Sequence, residues 1–83
     1  MITTEQIRMA RGALDWTIAD LERASGVSAR TIRRIEAQAG LPSARPANIL
    51  IIQRAFEDAG IDFIGAPDDR PGVRLGRPQG VVA

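Results

Sequence analysis

The sequence predicts a mainly α domain closed by a short C-terminal β-hairpin. Three observations carry that expectation. Apolar residues recur at helical spacing in short stretches between Thr3 and Ala59, each opened by a capping residue or a proline. Gly26 interrupts the middle of this region with a sharp turn of the kind that calls for positive φ. After Gly60 the pattern changes to alternation, in Ile61-Asp62-Phe63-Ile64. Eighty-three residues suit one domain with a small core, so stability is expected to be modest.

The first helix is capped by Thr3 or Thr4 and runs to about Leu14, with Ile7, Ala10 and Leu14 toward the core. Met9 and Ala13 are expected to add to that packing. The second helix is capped by Thr17, with Asp20 three residues on as a near-match to a capping box. Ile18, Leu21 and Ala24 then fall on one face, and the helix should stop near Ser25. Beyond Gly26, Val27 is an apolar plug and Ser28 caps a third helix, Ala29 to Ala37. Ile32 and Ile35 point inward there, while Arg30, Arg33, Arg34 and Ala37 form a wide basic outer face. A narrow buried stripe behind a broad cationic surface is the design of a helix that reads DNA.

Gly40, Pro42, Ser43 and Pro46 mark a loop, and residues 46–59 read as the longest helix, with Pro46 in its first turn. Ile49, Ile52 and Phe56 make one stripe, widened by Leu50, whereas Ile51 lies on another side. That excess of apolar surface is either enclosed by the C-terminal segment or left for a second subunit. Gly60 ends the helix, and a segment dense in breakers, Gly65 to Gly72, is read as the loop of a hairpin whose second strand is Val73-Arg74-Leu75. An isolated hairpin is barely stable, so it needs something to pack on. The expected organisation is a domain over residues 1–60, a hairpin extension over 61–76 and a tail over 77–83.

Composition excludes more than it identifies. With neither cysteine nor histidine, the chain lacks a disulfide framework, a thiol nucleophile, and the commonest general base and metal ligand. The sequence therefore points to a non-enzyme without cofactor or bound metal. Glu57, Asp58 and Asp62 cluster, but no phosphate loop, nucleophile or metal spacing accompanies them. Neither a secretion signal nor a membrane-length apolar run is evident, so the expected location is cytoplasmic, on the nucleoid when bound to DNA. The net charge of +1 conceals an asymmetry. From Ser28 to Arg45 four arginines face a single acid, Glu36, whereas Ala55 to Asp69 carries five acids and no base. Such a polar molecule attracts phosphate at one end.

The run DLERASGVSARTIRRIE, preceded by ARGALDWT, resembles the helix-turn-helix regulators of the Cro/C1 (XRE) type. The resemblance extends into RPANILIIQRAFEDAGIDFI and GVRL, which look like the fourth helix and hairpin of a bacterial subgroup, and so covers roughly Thr4 to Leu75. It implies a compact four-to-five-helix domain with its motif at about residues 17–37, and places Trp16 inside as a core plug. It also implies a structural salt bridge between Arg11 and Glu36, joining the first helix to the recognition helix. Two positions depart from the pattern. Ile18 stands where many relatives carry a phosphate-binding glutamine, a role open to Thr17, and Glu22 stands where a small residue is usual. Glu22 either tilts the two helices or pairs at the surface.

Chemistry assigns roles along the third helix. Arg30 and Arg34, one turn apart, suit bidentate contact with guanine, and Ala29 suits a thymine methyl. Thr17, Ser28 and Thr31 are candidate phosphate donors, together with free amides at both helix starts, and Arg33 and Arg45 are candidate backbone clamps. One such unit reads few base pairs, so the expected species is a homodimer on a palindromic double-stranded site that regulates transcription. Ile51, Phe63, Ile64, Val73 and Leu75 are the dimerisation candidates. The competing expectation is a protein-interaction module, antitoxin-like or an anti-repressor subunit, that keeps the fold, lacks independent specific DNA binding and takes a protein partner.

Overall fold

The computed structural model describes residues 1–76, and the tail expected at 77–83 lies outside them. Four helices, α1 (Thr4–Ala13), α2 (Ile18–Ser25), α3 (Ala29–Glu36) and α4 (Pro46–Asp58), precede an antiparallel pair, β1 (Ile61–Ala66) and β2 (Asp69–Leu75). Four helices satisfy the lower of the two expected counts. The connection from α3 to α4 stays irregular, with Gly40 at φ 70° and a proline at 42, and Pro46 opens α4.

Local chemistry accounts for the helix ends. Thr3, rather than Thr4, caps α1: its hydroxyl accepts the Gln6 N–H at 3.1 Å, and Gln6 Oε1 accepts the Thr3 N–H at 2.8 Å. Thr17 and Asp20 complete the same reciprocal box at α2. Gly26 closes α2 at φ 77°, and Ser28 caps α3.

The core is continuous. Ile2, Ile7, Ala10, Leu21, Val27, Ile32, Ile35, Ile49, Ile52, Phe56 and Ile61 are buried, with Leu14, Trp16, Ile18, Ala44, Phe63 and Val73 packed against them. Trp16 stacks on Phe56 at 5.6 Å between ring centroids, and Phe63 meets Phe56 edge-on at 6.1 Å. Trp16 is thus a core plug.

Several apolar positions lie elsewhere than expected. Met9 and Ala13 are exposed, because both sit about a third of a turn from the Ile7–Ala10–Leu14 line. Ala24 is exposed as well: from Leu21 the buried stripe continues to the i+4 position, Ser25, whose hydroxyl donates to the Leu21 carbonyl at 2.7 Å. α1 ends at Ala13 with Leu14 as its C-cap, and α4 ends at Asp58 with Ala59 as its C-cap.

The hairpin is longer than its breakers suggest. Pairing runs from Ile61↔Leu75 to Ala66↔Asp69, with a bulge between Ile64 and Ala66 that leaves only Pro67 and Asp68 in the turn. Gly65 occupies the bulge at φ 77°, where a Cβ would lie 2.3 Å from the Arg70 carbonyl oxygen. Pro71 sits across from the bulge, where the missing N–H disturbs the ladder least. The support that an isolated hairpin lacks comes from α1. Buried Gln6 donates through Nε2 to the carbonyls of Ile64 at 3.1 Å and Gly72 at 2.9 Å. No helix among the described residues is long and apolar enough to cross a membrane.

Candidate nucleic-acid interface

α3 is seated by Ile32 and Ile35, both fully buried. The helical repeat of 100° per residue then turns Arg30, Arg33 and Arg34 to the opposite side, and all three are exposed. Their guanidinium groups, and those of Arg45 and Arg54, have no hydrogen-bond or ion-pair partner among the described residues. Arg8, Arg11, Arg23, Arg70 and Arg74, by contrast, are each paired with a carboxylate. Neutralisation is therefore selective: it leaves the outer face of α3 bare, where positive charge can meet a polyanion.

The back of α3 is held by polar groups of α1. Arg11 Nε donates to Glu36 Oε2 at 2.9 Å and Nη2 to Oε1 at 2.8 Å, while Nη1 reaches the Trp16 carbonyl at 3.0 Å. Hydrogen bonding to Glu36 holds the Arg11 guanidinium pKa above its already high ordinary value, with burial opposing. Thr4 Oγ1 donates to the Ile35 carbonyl at 3.3 Å, and Arg8 Nη1 donates to the carbonyls of Glu36 at 2.5 Å and Gln38 at 3.2 Å. Glu5 accepts hydrogen bonds from its own backbone amide and from the Gly40 N–H, and these, the first more than the second, lower its pKa. The C-terminal carbonyls of α3 are thereby engaged from behind.

At the other end of α3 the helix start is not open. Ser28 Oγ accepts the Thr31 N–H at 3.2 Å and lies 3.0 Å from Thr31 Oγ1, so its hydroxyl is engaged in the cap of α3. Glu22 pairs with no arginine among the described residues. Its Oε2 accepts the Ala29 N–H at 2.9 Å, across the turn. The free amides expected there are thus reduced, because Ala29 and Thr31 have internal partners. Thr31 Oγ1 and Thr17 Oγ1 each keep a proton to donate, and Thr17 is exposed. Ala29 is half-buried beside this edge. At α2, Asp20 accepts the Thr17 amide and pairs with Arg23, and the Thr17 backbone bond is the main cause of its lowered pKa.

Arg45 precedes α4 as its N-cap residue, exposed and making no side-chain capping bond. Among the proposed association residues, Phe63 and Val73 are half-buried against their own core, whereas Ile51, Ile64 and Leu75 are 43%, 40% and 61% exposed. Thr4, Arg8 and Glu22 were not legible as supports of α3, nor Gln6 as a support of the hairpin. Each acts through an amide or carbonyl contributed by a different element, and only the capping partner of Gln6, three residues away, left a trace in the spacing.

No curated protein and no solved structure matches the chain. A family model described as helix-turn-helix matches residues 7–56, well over half of the sequence.

Proposed function

The chain belongs to the Cro/C1-type (XRE) helix-turn-helix family of DNA-binding regulators, and from that premise we propose that it regulates transcription as a homodimer on a palindromic operator. The observation that carries the reading is the bare arginine face of α3, opposite the buried Ile32 and Ile35. In this reading α3 enters the major groove, with Arg30 and Arg34 on guanine O6 and N7 and Ala29 against a thymine methyl. Thr17, Thr31, Arg33 and Arg45 hold phosphates on either side and set the register; Ser28 contributes through the cap that fixes Thr31.

Half-sites one helical turn apart are separated by about 34 Å. The described residues span 38 × 30 × 20 Å, so two copies reading successive major grooves on one side of the duplex would stand within touching distance. Ile51, Ile64 and Leu75 offer exposed apolar surface for that contact, and Phe63 and Val73 stiffen the hairpin beneath it. Protein concentration then sets occupancy, and the working location is the cytoplasm, on the nucleoid.

Selection of bound duplexes from a randomised pool, at near-physiological salt, tests the proposal. The wild type should enrich a palindrome that the Arg30→Ala/Arg34→Ala double variant fails to enrich. Folded wild-type protein that enriches nothing would sink the operator reading and favour a protein-interaction module instead.

A further inference from the structure

α3 carries no acid in its own first turn. The acid arrives from α2: the exposed Glu22 carboxylate crosses the turn to the Ala29 amide at 2.9 Å, and its side chain makes no ion pair among the described residues. With Thr31 N–H taken by Ser28, two of the first three amides of α3 already have partners. A helix start otherwise concentrates unbonded N–H groups and about half a positive charge, and it attracts phosphate whatever the base sequence. Here that pole meets a carboxylate belonging to the protein.

We propose that Glu22 is a specificity-determining residue of the DNA-binding face, acting as a positioning residue and an anion guard. It fixes the start of α3 and keeps the backbone amides there closed to phosphate, so the helix docks through the side chains of Arg30 and Arg34 rather than by capture of its N-terminal amides on any backbone. The inference rests on the DNA-binding reading above. Its consequence is that a carboxylate beside a DNA-facing helix lowers affinity for arbitrary sequence more than for the cognate site.

Two substitutions separate guarding from simple capping. Glu22→Gln keeps a side-chain oxygen able to accept the Ala29 N–H and removes the charge, whereas Glu22→Ala removes both. The measurements are affinity for a short mixed-sequence duplex and for the duplex enriched by selection, at low and at near-physiological salt. Circular dichroism and thermal unfolding verify the fold. Glu22→Gln should bind the mixed-sequence duplex about two- to five-fold more tightly at low salt, the scale of one charge at a helix terminus, and Glu22→Ala at least as much. The ratio of enriched to mixed-sequence affinity should fall by a similar factor, and the gain should shrink as salt rises. Amide exchange at Ala29 should quicken in Glu22→Ala and stay slow in Glu22→Gln.

Glu22→Gln indistinguishable from wild type on the mixed-sequence duplex would reduce Glu22 to a cap and overturn the proposal. Equal tightening on both duplexes would also overturn it, since discrimination would be unchanged. Folded wild type that binds neither duplex at low salt would instead overturn the DNA-binding reading, and this inference with it.

Discussion

Arg11 and Glu36 meet through two hydrogen bonds, with the Glu36 side chain only 8% exposed, so removing either partner strands a charge in a largely dry place. Arg11→Ala or Glu36→Ala should lower stability by about 1.5–3 kcal/mol in urea unfolding, and the double variant by less than the sum. The unpaired arginines should behave oppositely. Arg30→Ala and Arg34→Ala are expected to leave stability within about 0.5 kcal/mol of wild type, and each to cost about 1–3 kcal/mol on the cognate duplex with relaxed preference at one base. Arg45→Ala should weaken all sequences alike. Asp20 and Glu5 add a pH dependence. Amide hydrogen bonds depress both folded-state pKa values, so their contribution is complete above the ordinary carboxylate range and is lost as pH falls through the depressed values. Thermal unfolding followed against pH should show this acid-side loss, and Asp20→Asn should flatten part of it. Local patterns made the caps and the bare arginines readable from the chain, because each depends on neighbours within a turn. Glu22 was unreadable in its role, since its partner lies seven residues away across a turn whose angle only packing determines.

Among the elements, the helices follow from spacing, and the hairpin follows in its presence but not in its length. Ile49, Ile52 and Phe56 announce the buried side of α4 directly. The run from Gly65 to Gly72 looks like a loop because it is rich in glycine and proline, yet those residues accommodate the bulge and the edge of a ladder that continues to Asp69. Besides the packing of Ile61, Phe63 and Val73 on the core, the ladder is held by a single amide on α1, 58 residues from one strand carbonyl and 66 from the other. Gln6→Leu should therefore leave both carbonyls short of a donor and lower stability by about 1–3 kcal/mol, with faster amide exchange across β1 and β2 than across α2 and α3. Gly65→Ala should also be destabilising, because the added methyl would meet the Arg70 carbonyl; a Cβ there is placed 2.3 Å from that oxygen. An unchanged unfolding midpoint in that variant would show that the bulge can relax.

For the whole molecule, charge is unevenly shared between elements: cations on α3 have no partners among the described residues, while five acids and no base lie between Ala55 and Asp69. Association with DNA should accordingly fall steeply with salt, by about 0.9 log units per tenfold change in salt for each phosphate neutralised, and Arg33→Ala should reduce that slope by about one contact. The support behind α3 has an evolutionary consequence. Thr4 and Arg8 grip the helix through the main-chain carbonyls of Ile35 and Glu36, groups that every amino acid supplies. The scaffold thus places few demands on what stands at positions 30, 33 and 34. Operator preference can drift by substitution there while the fold keeps its stability, which would let duplicated copies of such a gene diverge into regulators that ignore one another's targets.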